Sequence, residues 1–190
     1  MKKQIIITAA VLSFITPLAA FAGPSVGIAY SNVGLSGHAG RPGVTLSAGN
    51  LYSNNVVATG AATIAGNYYG FHADMGKLIP TNGTVSFEPY ASLGLVNMNY
   101  RQFQPSIQDV YGLAGVNLNV PIGSRVAFEL GGGYGHTLTT FGGNNGAVYK
   151  GKAEIGCEIA PHITANLTVR YLHVPGQSVT TEGAGLAYQF

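Results

Sequence analysis

Residues 183–190 read Gly183-Ala184-Gly185-Leu186-Ala187-Tyr188-Gln189-Phe190, and taken by parity they decide the fold. Ala184, Leu186, Tyr188 and Phe190 fall in one phase; Gly183, Gly185, Ala187 and Gln189 fall in the other. A period of two puts the two sets on opposite faces of a β-strand, whereas a helical period would mix them. One face is apolar and the other small or polar.

The alternation continues towards the N-terminus. Ile163, Ala165, Leu167, Val169 and Tyr171 oppose Thr164, Asn166, Thr168 and Arg170. Tyr149, Ala153, Ile155, Cys157 and Ile159 oppose Lys150, Lys152, Glu154 and Glu158. Further upstream Val126, Phe128, Leu130 and Tyr134 oppose Arg125, Glu129 and a run of glycines, and Val110, Ala114, Val116, Leu118 and Val120 oppose Asp109, Tyr111, Asn117 and Asn119. Val85, Phe87, Ala91, Leu93 and Leu95 oppose Ser86, Glu88, Tyr90 and Ser92; the apolar phase then moves to Val96, Met98 and Tyr100, which predicts a bulge near Leu95. Tyr69, Phe71, Ala73 and Met75 oppose His72 and Asp74, and Val44, Leu46, Ala48 and Tyr52 oppose Thr45, Ser47 and Gly49. The reading is all-β, with eight antiparallel strands.

A ninth segment, Val26, Ile28 and Tyr30 followed by Val33 and Leu35, complicates that count. Closed single-chain membrane barrels use even strand numbers. Residues 23–42 are therefore expected as an N-terminal segment in the lumen or at an edge, with the barrel over 43–190. The competing account makes the segment a spanning strand and turns Val56 to Ile64 into a tenth, leaving only Ala65-Gly66 to connect it onward.

Charge placement separates a membrane barrel from a soluble sandwich. Asp74, Glu88, Asp109, Arg125, Glu129, Lys150, Lys152, Glu154, Glu158 and Arg170 all sit in the phase opposite the apolar one, and Arg101 joins them across the expected bulge. Charged residues are only 8% of the chain, about a third of the share usual in soluble domains. Lipid expels charge from an outward face, because a midplane Lys or Arg costs roughly 2–4 kcal/mol. These ten residues are thus the expected lumen-lining charges. Aromatics in the apolar phase near strand ends, among them Tyr69, Tyr134, Tyr149, Tyr171, Tyr188 and Phe190, fit interfacial girdles.

At the N-terminus, Lys2 and Lys3 precede an apolar run from Ile5 to Leu18, and Ala20-Phe21-Ala22 offers a small-x-small cleavage site. This predicts an export signal over residues 1–22. The run is shorter than the roughly 20 residues of a membrane-crossing helix. Setting aside the two signal lysines, the 9 basic residues become seven against 7 acidic ones, so no basic field points to nucleic acid. Cys157 has no partner for a disulfide.

The signal, the strands and the terminal Gly185-Leu186-Ala187-Tyr188-Gln189-Phe190 together resemble small Gram-negative outer-membrane β-barrel proteins. The layout with its extra N-terminal segment is similar to the YfaZ-type, porin-like family. The resemblance implies residence in the outer membrane, contact with its lipids and lipopolysaccharide, and Leu186, Tyr188 and Phe190 as the assembly signal taken up by the barrel-assembly machinery. It also places the turns at Pro80–Gly83, Pro121–Ser124 and Ala160–His162 in the periplasm with Phe190, and the connections around 53–65, 103–106, 142–146 and 175–178 outside.

Three functions follow from this class. The first is a porin-like barrel with a narrow or plugged polar lumen, whose inward glycines (Gly70, Gly94, Gly115, Gly133 and others) either leave a water path or permit tight coiling. The second is a non-conducting structural or surface-interaction barrel cross-linked by its inner charges. The third is a lipid-modifying enzyme. His72 and Asp74 share a face, but no serine stands beside them as a nucleophile, so an internal hydrogen-bonded pair is expected and no enzyme. The histidines fit no metal-ligand spacing, and no cofactor is expected.

Overall fold

The structure, a computed structural model, describes residues 23–35, 39–81, 85–98 and 107–190. The export signal over 1–22, Arg101 and Tyr100 lie outside the described residues. Ten long strands follow in order: β1 Gly23–Leu35, β2 Arg41–Leu51, β3 Val56–Ala65, β4 Tyr68–Lys77, then β6 Ser86–Met98, β7 Ile107–Ile122, β8 Val126–Phe141, β9 Ala147–Ala160, β10 Ile163–Val174 and β11 Gln177–Gln189. A two-residue strand, β5 Ile79–Pro80, pairs with β6 alone. The shortest long strands have 10 residues, enough for a tilted β-strand to cross a bilayer's hydrocarbon core at roughly 9–11 residues.

Each long strand pairs antiparallel with its sequence neighbour, and β1 pairs with β11, so the sheet closes. Closure leaves no long strand with an open edge, which strands this apolar could not safely expose. The eight-strand expectation is corrected to ten. Residues 23–35 are not an appendage: β1 runs between β2 and β11, with Ile28 opposite both Leu46 and Leu186. β3 supplies the tenth strand. Its sequence, VVATGAATIA, is small on both faces at its centre, and it pairs with β2 on one side and β4 on the other. The β3–β4 connection is Gly66-Asn67, a two-residue hairpin with Gly66 at φ +56°, as the right-handed twist of a hairpin requires.

The added strands move one turn to the other end. The Tyr52–Asn55 turn lies at the end of the barrel where Phe190 sits, closed by Asn55 N–H donating to Tyr52 O at 2.9 Å, while Gly66-Asn67 lies at the opposite end. At Phe190's end are also the β7–β8 and β9–β10 turns; at the other are 142–146 and Pro175-Gly176.

Register corrects a second expectation. β6 runs unbroken against β4 from Tyr68↔Met98 to Gly76↔Tyr90, and unbroken against β7, so no bulge lies at Leu95. Val96 and Met98 keep the phase of Glu88 and Tyr90 and point inward, because the lumen at that end is apolar. The irregularities lie elsewhere, at Val110/Tyr111 between β7 and β8 and at Ile163/Thr164 between β10 and β9.

The outward phase is a belt of exposed apolar side chains: Leu93 is 61% exposed, Met75 64% and Leu167 60%. Soluble monomers rarely expose an apolar patch beyond a few hundred Å². Glu182 also lies in the outward phase, opposite Asn32 and Val169.

Candidate functional site

The site is the barrel interior, and the strands fill it unequally. On β1, β2, β3 and β11 the inward positions are small: Gly27, Ala29 and Ser31; Gly43, Thr45 and Ser47; Thr59, Ala61 and Thr63; Gly183, Gly185 and Ala187. On β4 and β6 to β10 large or charged inward residues stand among glycines. An eight-stranded barrel is just wide enough to be filled by side chains, and ten strands widen it. Long side chains reaching from one wall towards a thin opposite wall solve that geometry.

At mid-height the contents are ionic. Lys150 of β9 reaches across the lumen to Asp74 of β4, Nζ to Oδ2 at 2.6 Å, with side-chain exposures of 8% and 13%. Lys152 lies between Glu129 on β8 at 2.8 Å and Glu154 on its own strand at 3.3 Å. Glu154 also accepts a hydrogen bond from Asn166 Nδ2 at 3.2 Å. Lys150 Nζ stands 5.2 Å from the centre of the Tyr90 ring, a cation–π contact in a dry setting. On the thin wall, hydroxyls link Ser31 to Thr45 at 2.6 Å and Thr45 to Thr63 at 2.8 Å.

Of the ten residues singled out from sequence, Asp74, Glu129, Lys150, Lys152 and Glu154 meet in these pairs. Glu88, Glu158 and Arg170 hold inward register positions, opposite Asn117, Thr164 and Lys152 respectively. Asp109 is fully buried near the end opposite Phe190, with neither carboxylate oxygen hydrogen-bonded among the described residues. Arg125 is not brought in: it is exposed in the β7–β8 turn, where its backbone carbonyl accepts from Glu158 N–H at 2.8 Å. The expected His72–Asp74 hydrogen bond is replaced by the Lys150–Asp74 pair, because the ammonium arrives from the opposite wall. His136 points outward and is exposed.

Towards the end opposite Phe190 the lumen becomes a hydrophobic core. Val33, Val96, Met98, Tyr111, Val148, Val174 and Val179 pack together with Tyr68, Tyr90 and Leu113. Met98, Val148 and Val174 are all 0% exposed, although each points to where a channel would run. Parity places Tyr90 and Tyr111 in the polar phase; the inward turn of Val96 and Met98 shows in the sequence only as the change of apolar phase after Leu95.

The inward glycines seat the tyrosines. A Cβ on Gly115 would come within 2.6 Å of Tyr90 Cζ, one on Gly94 within 2.7 Å of Tyr111 Cε1, and one on Gly70 within 2.8 Å of Tyr68 Cζ. Each glycine is the space a ring occupies. The glycines therefore do not enlarge a passage at these levels.

The outward surface carries paired rings towards both ends. Tyr134 and Tyr149 have centroids 5.3 Å apart, with His173 5.7 Å from Tyr149; at Phe190's end Tyr188 meets Phe190 edge-on at 5.2 Å. Leu186, Tyr188 and Phe190 all face outward and are exposed.

No family model matches the chain, and no curated protein matches it in sequence. Solved structures do match. The translocator domain of the autotransporter NalP from Neisseria meningitidis aligns with a TM-score of 0.54 at 13% identity, covering 90% of this chain and 89% of that one. The beta domain of the Bordetella autotransporter Brka aligns at 0.54 and 12%, covering 88% and 99%. The NanC porin aligns at 0.52 and 8%, covering 87% and 100%. What is shared is the fold. This chain is a closed antiparallel β-barrel.

Proposed function

We propose that the protein is an integral outer-membrane β-barrel whose lumen is closed at rest, serving as a structural or surface-interaction barrel rather than an open porin. One observation carries the closed state: inward Met98, Val148 and Val174 are fully buried, packed among the other apolar side chains of that level. The exposed apolar belt supports the membrane setting, since ten spanning strands put it in contact with outer-membrane lipids and lipopolysaccharide. In this reading Leu186, Tyr188 and Phe190 are the assembly signal read by the barrel-assembly machinery, and residues 1–22 are the cleaved export signal. The turns at Phe190's end are periplasmic. The likeness to YfaZ-type proteins loses its extra N-terminal segment, because residues 23–35 form the spanning strand β1. No lipid-modifying chemistry is assigned, because His72 and Asp74 lie inside the filled lumen, away from the lipid face.

The test is reconstitution of the refolded protein into planar bilayers, with fractionation of a Gram-negative host expressing the full chain. The protein should co-sediment with outer membranes and resist urea extraction, and should add no discrete steps above the empty-bilayer baseline. Stable conductance steps from the unmodified protein overturn the closed state; a periplasmic, urea-extractable product overturns the membrane assignment.

A further inference from the structure

Between the ionic layer and the hydrophobic core lies a cavity of about 40 Å³, lined by Arg170, Lys150, His72, Thr63, Tyr68 and Tyr111. This is room for a monoatomic ion or a few waters. Its lining has an unusual balance. Two cationic side chains, an imidazole and several hydroxyls border it, and no Asp or Glu does.

The two cations differ in one respect. Lys150 is neutralised by Asp74, and Lys152, next to Arg170 across the β9–β10 pairing, has both Glu129 and Glu154. Arg170 has no acid within ion-pair distance among the described residues, and its Nε is buried without a hydrogen-bond partner. A guanidinium never deprotonates in a protein, so Arg170 cannot lower its cost by shedding charge. Arg170 is partly buried, and an ion drawn out of water is best tolerated when it is paired and hydrogen-bonded. The cavity beside it is where a partner fits. Thr63, at the end of the Ser31–Thr45–Thr63 hydroxyl series, brings a further hydroxyl to the same space.

We propose that this cavity is a binding site for a small monoatomic anion of halide size, held by Arg170 with hydroxyl donors from the surrounding wall and acting as the missing counter-ion of the lumen. Such an ion binds the folded barrel and not the unfolded chain, so it stabilises the fold by mass action. The inference rests on the local lining of the cavity and the missing partner of Arg170, not on the membrane location or the closed state, so the bromide tests and the conductance test can fail separately.

Bromide is the probe. The protein is refolded in sodium bromide, so that the site can fill during folding, and crystallised; diffraction is recorded at the bromine absorption edge. The expected result is an anomalous peak in the cavity beside the Arg170 guanidinium. In parallel, the unmodified protein's Tm in detergent is followed against bromide at constant ionic strength, with gluconate as the balancing anion. Above the dissociation constant it should rise by roughly 3–6 °C per tenfold increase, and Arg170→Gln should remove the dependence. A cavity without anomalous signal, or a Tm of the unmodified protein indifferent to the anion, overturns the site and leaves it a water pocket. Both decisive measurements use the unmodified chain, so they remain valid if Arg170→Gln fails to fold.

Discussion

Removing either partner of the Lys150–Asp74 pair should cost far more than removing both. The pair bridges opposite walls at 2.6 Å with little exposure on either side, so each ion relies on the other in place of water. Breaking a buried pair by deleting one partner costs about 3–5 kcal/mol, whereas replacing both by neutral groups of similar size is often nearly neutral. Asp74→Asn and Lys150→Met should each lower stability by that amount, a hundredfold to a few thousandfold in the unfolding equilibrium at about 1.4 kcal/mol per tenfold. The double variant should lie well above the sum of the singles, with a coupling energy of about 3 kcal/mol or more. Lys150 also meets the Tyr90 ring, but that contact is lost in both Lys150→Met and the double variant and cancels in the cycle. Glu129→Gln is the internal control: Lys152 keeps Glu154 at 3.3 Å, so its cost should be clearly smaller. The chain has no Trp, so unfolding in urea is best followed by far-ultraviolet circular dichroism and by the heat-dependent gel mobility of folded barrels. Single variants that each cost under about 1 kcal/mol, with additive effects, would mean that water solvates both ions and that the lumen is open.

Gly94→Val should drive a side chain into the Tyr111 ring and cost about 1–3 kcal/mol, and Tyr111→Ala in the same chain should recover part of it; urea titration reads both. Leu93→Arg, on an outward position 61% exposed, should cost roughly 2–4 kcal/mol in a phospholipid bilayer, whereas exposure to water would make it nearly neutral. Cys157 belongs to the same outward phase, so a membrane-impermeant maleimide should label it only after unfolding. Met98→Ala with Tyr111→Ala thins the apolar closure and should give measurable bilayer conductance; a silent double variant would show that other residues suffice to close the lumen.

Parity carried most of the fold and failed at four places for physical reasons. β3 escaped it because Gly60, Ala61 and Ala62 are small whichever way they face: its inward positions lie on the thin wall and need no bulk. β1 alternated correctly as far as Tyr30, but Val33 and Leu35 are apolar and inward, which the rule that apolar means lipid-facing cannot accommodate. The same exception produced a bulge at Leu95 that does not exist, while the irregularity opposite Leu138 had no signature among the Thr and Gly residues around it. The inner charges were legible because they keep to the phase opposite the apolar belt, yet their partners were not. Nothing in sequence spacing joins Lys150 to Asp74, which are brought together only by closure of the barrel.

Every assignment of a side chain to the lumen or the outer surface rests on that closure by β1 against β11, and a cross-strand disulfide tests it most directly. In a Cys157→Ser background, Ile28→Cys with Leu186→Cys places two thiols directly opposite one another on the outward face, and Leu46→Cys with Leu186→Cys serves as the comparison. The ten-stranded barrel predicts efficient oxidative cross-linking of the first pair in the folded state and none of the second. Cross-linking of Leu46→Cys to Leu186→Cys, with Ile28→Cys left free, would show that β2 closes the barrel and would contradict the account.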